Sequence, residues 1–131
     1  MMPKHLPKNT AKTSIYMENS SVLAATDVTI ENSADQGLQV QKKGTLTITG
    51  TLTGKNITQN ALRIYNDARN KPTISVNVLK AIDVDNYALA AAASITNANL
   101  TVTTLQYKNC TNVVHTNVGS GCVGTTTEIT E

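Results

Sequence analysis

The sequence contains no Phe and no Trp, and only 4 of its 131 residues are Tyr. Large rings therefore cannot dominate a core or a binding face, and small and β-branched side chains must take that role. Charge of one sign is equally scarce. Eleven Lys and Arg against nine Asp and Glu leave a net charge of +2, without a basic run of the kind that tracks phosphates, so nucleic acid is not an expected partner. Long apolar runs are missing too. The nearest, Tyr87 to Ile95, is mostly Ala and falls short of the roughly 20 residues of a membrane span, so no membrane insertion is expected. The opening MMPKHLPKNTAKTS lacks the apolar stretch of roughly 7–15 residues that a secretory signal needs. Its prolines and lysines instead make residues 1–14 an extended basic arm.

What is present is repetition. Gln36-Gly37-Leu38-Gln39-Val40, Asn60-Ala61-Leu62-Arg63-Ile64 and Tyr87-Ala88-Leu89-Ala90-Ala91 align on Leu38, Leu62 and Leu89, a nearly constant period. A second series keeps step with it: Leu46-Thr47-Ile48-Thr49, Ile74-Ser75-Val76-Asn77 and Leu100-Thr101-Val102-Thr103. A fainter third matches Val28-Thr29-Ile30-Glu31-Asn32 to Ile82-Asp83-Val84-Asp85-Asn86 across two periods, with a degraded middle copy near Asn56 to Asn60. Apolar and polar residues alternate with period 2, so each short strand buries one face. Only Leu89 to Ser94 has helix-forming composition, and its place in the first series predicts a tight rung or short turn instead.

Three short strands per repeat, with Gly, Asn, Asp and Lys at the junctions, predict an all-β fold. The architecture expected is a short parallel β-helix, or β-solenoid, of about three strands per rung and 4–5 rungs. Residues 15–109 would form the solenoid and 110–131 a C-terminal capping loop and tail. The alternative is an antiparallel β-sandwich, which also shows short alternating strands but requires no constant repeat.

The rung Gly44 to Gly54, GTLTITGTLTG, resembles the Thr-Leu-x-Ile-x-Gly rungs of right-handed parallel β-helix surface proteins, the group that includes autotransporter and haemagglutinin passengers and phage tailspikes. The likeness covers roughly residues 28–107. It implies a rigid rod at an extracellular, cell-surface or virion location, and it is shared by adhesins, spikes and polysaccharide-cleaving enzymes.

Few residues suggest chemistry, and no catalytic residue or cofactor is expected. Asp83 and Asp85, two apart on one strand, would share an outward face and make a weak metal site, against the plainer reading of two solvated carboxylates. Arg63 and Arg69 offer a lyase no defined partner, and His5 and His115 adjoin no nucleophile motif. Cys110 and Cys122 bracket a glycine-containing segment that a disulfide could close, while zinc would need more ligands than His115 adds. The remaining feature is an outward array: Thr47 and Thr49 over Ser75 and Asn77 over Thr101 and Thr103. It resembles the Thr-x-Thr ladders of β-solenoid ice-binding proteins, though Thr is also the ordinary solvated residue of a strand. The expected function is thus a non-enzymatic structural or interaction module, adhesin-like or a fibre or filament subunit. Self-association or a host or cell-surface partner is expected, and a glycan could use the same face. Ice binding and carbohydrate binding or cleavage are the alternatives.

Overall fold

The computed structural model of the chain describes residues 5–10 and 14–130. It is all-β, a parallel solenoid of about five turns. The strands are β1 (His5–Thr10), β2 (Ile15–Met17), β3 (Val22–Ala25), β4 (Val28–Ser33), β5 (Leu38–Gln41), β6 (Thr45–Ile57), β7 (Leu62–Tyr65), β8 (Thr73–Ala91), β9 (Leu100–Val114) and β10 (Val123–Glu128). Every strand pairing among the described residues is parallel, as stacked coils require and a sandwich forbids.

The strands group into three walls. Wall A stacks β3 on the first part of β6, then on those of β8, β9 and β10. Wall B stacks β1, β4 and the later parts of β6, β8, β9 and β10. Wall C stacks β2, β5, β7 and the ends of β8 and β9. Long strands such as β8 turn corners without ending, and register shifts mark the bends, between Ile48 and Thr51 and between Val84 and Tyr87.

Both strong sequence series are strand registers. Leu38 pairs with Leu62 and Leu62 with Leu89 in wall C, and Leu46 pairs with Ile74 and Ile74 with Leu100 in wall A. Three apolar columns then fill the interior: Leu23–Leu46–Ile74–Leu100, Val28–Leu52–Leu79–Leu105 and Ile15–Leu38–Leu62–Leu89. All of these side chains are buried, and none is aromatic. Aliphatic side chains alone thus close-pack the interior, as a sequence without Phe or Trp requires. The alanines of Leu89 to Ser94 lie in wall C and the turn after it, in no helix.

The third series is misaligned. Val28 pairs with Leu52, and Leu52 with Leu79, whereas Ile82 stands above Lys55 and Glu31. The residue two turns on from Val28 is therefore Leu79, and the sequence match to Ile82 overshoots it. What sets the register is a corner. Asn32, Asn56, Asp83 and Asn109 occupy one register position, and all four take the left-handed conformation, with φ of 60°, 58°, 55° and 53°. Asn and Asp tolerate this region where branched residues do not. Within the corner Asn56 Nδ2 donates to Asn32 Oδ1 at 2.8 Å and Asn109 Nδ2 to Asp83 Oδ1 at 2.8 Å.

The segments flanking residues 15–109 also carry strand. His5–Thr10 of the basic arm pairs with β4, while residues 1–4 and 11–13 lie outside the described residues. At the other end β9 runs past residue 109 to Val114, and the 110–131 segment contributes β10. No helix is long and apolar enough to cross a membrane among the described residues.

Candidate functional site

The expected hydroxyl face exists as a surface. Thr47 pairs with Ser75 and Ser75 with Thr101, and Thr49, Asn77 and Thr103 follow two residues on in the same strands. Alternation turns these residues outward because their neighbours Leu46, Ile48, Ile74, Val76, Leu100 and Val102 are buried. Thr47 is half-buried and the other five are exposed. Ala24 pairs with Thr47 at the lower margin of the first column, and Gly124 stands beside Thr103 at the upper margin of the second, below which Thr26, whose carbonyl accepts the Gly50 N–H, stands beside Thr49.

Asp83 and Asp85 do not form the expected strand pair. The positive φ of Asp83 interrupts alternation at the corner, and its Oδ1 already accepts the Asn109 amide. Asp83 is half-buried, whereas Asp85 is exposed. No group of three His, Cys, Asp or Glu side chains could hold a metal ion among the described residues.

The expected disulfide is likewise corrected, since Cys110 and Cys122 are free thiols. Between them the chain crosses a whole wall, with Asn112 and Val114 pairing with Tyr87 and Leu89, so the two cysteines end at different corners. Cys110 Sγ lies 3.4 Å from the Ala81 carbonyl oxygen and Cys122 Sγ lies 3.6 Å from that of Ile95. Burial pushes both thiols up from their ordinary range, which keeps them protonated and weakly nucleophilic.

Wall C carries a groove that the sequence reading missed. It has a volume of about 330 Å³, and its lining includes Asn60, Arg63, Asn86, Tyr87, His115 and Asn117. The Tyr87 and His115 rings meet edge to face, 5.0 Å between centroids. The Asn117 backbone N–H donates to His115 Nδ1 at 3.1 Å, so the neutral ring carries its proton on Nε2. Much of the remaining polar lining joins one rung to the next: Asn60 Oδ1 accepts the Tyr87 N–H at 3.0 Å, and Asn117 Nδ2 donates to the Ala91 carbonyl at 2.9 Å. Arg63 donates to Gln39 at 3.2 Å and lies 5.4 Å from the Tyr65 ring centroid. Arg69, the other arginine considered as the basic group of a lyase, gives its backbone N–H to Asp67 in the turn beyond β7, at 2.9 Å. That turn is tightly held. The Asn70 backbone N–H, with the Asn70 side chain and the Arg69 N–H, holds the Asp67 carboxyl down at about 2, and Lys42 Nζ lies 3.4 Å away. The groove therefore serves first as a seam between turns, with His115 Nε2 left as a donor.

The chain matches no protein-family model, no curated protein and no solved structure.

Proposed function

We propose that this chain is a non-enzymatic structural and interaction module, a rigid solenoid that meets its partners through its side faces and ends in an extracellular, cell-surface or virion assembly. One observation carries the reading. Among the described residues β10 pairs only with β9, so a full row of backbone groups lies along its other edge, a template for a further strand. The side chains of that end moderate it. In wall B the inward column Val28–Leu52–Leu79–Leu105 terminates in Thr126, which pairs with Leu105 and is exposed. A partner adding there gains backbone hydrogen bonds but little apolar burial, so association is expected to be weak and concentration-dependent.

Size-exclusion chromatography with light scattering over a range of concentrations, followed by negative-stain microscopy, tests this. The wild-type mass is expected to rise with concentration. Thr126→Leu extends the apolar column by one rung and should move the population to larger oligomers at a given concentration. A strict monomer in both forms removes end-on assembly.

The in-register hydroxyl column of wall A favours a second reading, in which Thr47, Ser75 and Thr101 order water against ice. Their regular spacing along the axis supports it. Measurable thermal hysteresis that is lost in Thr101→Lys is the expected result for that reading, and its absence in the wild type removes it.

A further inference from the structure

The fold gathers lysines that the sequence scatters. Lys55, Lys80 and Lys108 line one groove of about 310 Å³ on wall B, together with Ile82, Asp83 and Ile129. Register explains how. Lys55 and Lys108 both align with Ile82, from the turns on either side of it, so they occupy one column two rungs apart. Lys80 lies on the intervening turn in the neighbouring outward column, between Thr53 and Gln106. Three lysines against Asp83 give the groove a net charge of +2, equal to that of the whole chain, so the remainder is balanced. Lys55 and Lys80 have no ion-pair partner among the described residues.

We propose that this groove binds a linear acidic polysaccharide, through successive sulfate or carboxylate groups set against the lysine stripe. The spacing favours a polymer over a single anion. With strands about 4.8 Å apart, Lys55 and Lys108 stand about 10 Å apart along the axis, more than one compact anion bridges. The lining favours a saccharide over a single-stranded nucleic acid. It offers Ile82 and Ile129 and no aromatic ring, whereas bases require stacking platforms. A second groove shares Lys80 and Ile129 and continues the surface past Gln106, Thr127 and Thr130, adding polar groups suited to sugar hydroxyls. Glu128 also lines it and opposes an anion there. The site lies on a side wall, so it stands whether or not the ends assemble.

The test measures binding of the full chain to heparin, polygalacturonate and neutral dextran by titration calorimetry at low and high salt. Heparin or polygalacturonate is expected to bind at low salt and weaken as salt rises, with dextran silent; binding of polygalacturonate shows that carboxylates suffice, and binding of heparin alone shows that sulfate is needed. The Lys55→Gln/Lys80→Gln double variant should lose about tenfold or more in affinity, while Lys43→Gln, a lysine of the turn between β5 and β6, should not. Asp83→Asn and Glu128→Gln should each tighten binding. Circular dichroism of each variant confirms that the fold is kept. The proposal is overturned if neither polymer binds at low salt, if Lys43→Gln costs as much as the double variant, or if an oligonucleotide of equal charge competes fully through the same lysines.

Discussion

Leu79→Ala is expected to lower the unfolding free energy by about 2–5 kcal/mol, the range for truncating a fully buried leucine where the surroundings cannot collapse. Leu79 is 0% exposed and sits mid-column, between Leu52 on one turn and Leu105 on the next. Its removal weakens two rung interfaces at once. In a solenoid each rung contacts only its neighbours, so stability is close to a sum of nearest-neighbour terms, and a middle rung counts twice. The backbone ladders on both sides are fixed by parallel hydrogen bonds, which prevents the walls from closing on the cavity. Leu23→Ala makes the comparison. Leu23 is 4% exposed and belongs to β3, which among the described residues pairs only with β6, so its loss should fall at or below the lower end of that range. Urea unfolding monitored by circular dichroism measures both. Equal losses would mean that the turns share their load over the whole rod.

The parts of this fold legible in the sequence are those where the inward residue stays large. Leu38, Leu62 and Leu89 remain leucines through turns of unequal length, and so do Leu46 and Leu100 either side of Ile74, so alternation could be tracked from rung to rung. Wall B hid its register because only one of its inward columns, Val28–Leu52–Leu79–Leu105, stays large. In the column beside it Ile30 pairs with Gly54 and Gly54 with Ala81, which breaks the apolar alternation, and Ile82-Asp83-Val84-Asp85-Asn86 imitates Val28-Thr29-Ile30-Glu31-Asn32 at the wrong offset. The signal that finds the register is the corner residue. Asn32, Asn56 and Asn109, with Asp83 replacing a fourth Asn, recur once per turn at the position that must take positive φ.

The same distinction governs the surfaces. The hydroxyl face was legible because its residues alternate with those of the most regular core strands in this chain, whereas the lysine groove was not. Lys55, Lys80 and Lys108 are unequally spaced along the chain and occupy two columns, so no linear pattern marks them. The wall C groove is assembled from three successive turns, and its polar residues are read from sequence as ordinary turn residues. The cysteines misled for the opposite reason. Nearness along the chain suggested a bridge, but a coil that advances by one wall carries sequence neighbours to different corners.

Asn60 carries the other large expectation. It is 6% exposed, and its side chain joins three turns: Nδ2 donates to Gln36 Oε1 at 2.9 Å, and Oδ1 accepts the Tyr87 backbone N–H at 3.0 Å. Asn60→Ala removes both bonds and leaves the Tyr87 N–H without its acceptor, a loss of about 2–4 kcal/mol. Asn60→Asp separates hydrogen bonding from packing. A carboxylate still accepts the Tyr87 N–H, but its second oxygen now faces Gln36 Oε1, an acceptor, and the charge is desolvated. Both effects raise the aspartate's folded-state pKa above its unfolded value. Its stability should therefore be fullest below the unfolded pKa, where the protonated acid can donate to Gln36, and should fall as pH rises through the folded one. Asn60→Ala, which introduces no titrating group, should track the wild type across the same range. Urea midpoints measured from pH 3 to pH 8 distinguish the two cases. Parallel curves for the Asp and Ala variants would mean that Gln36 turns its amide to donate to the carboxylate, so that the bond between these turns is kept with its direction reversed.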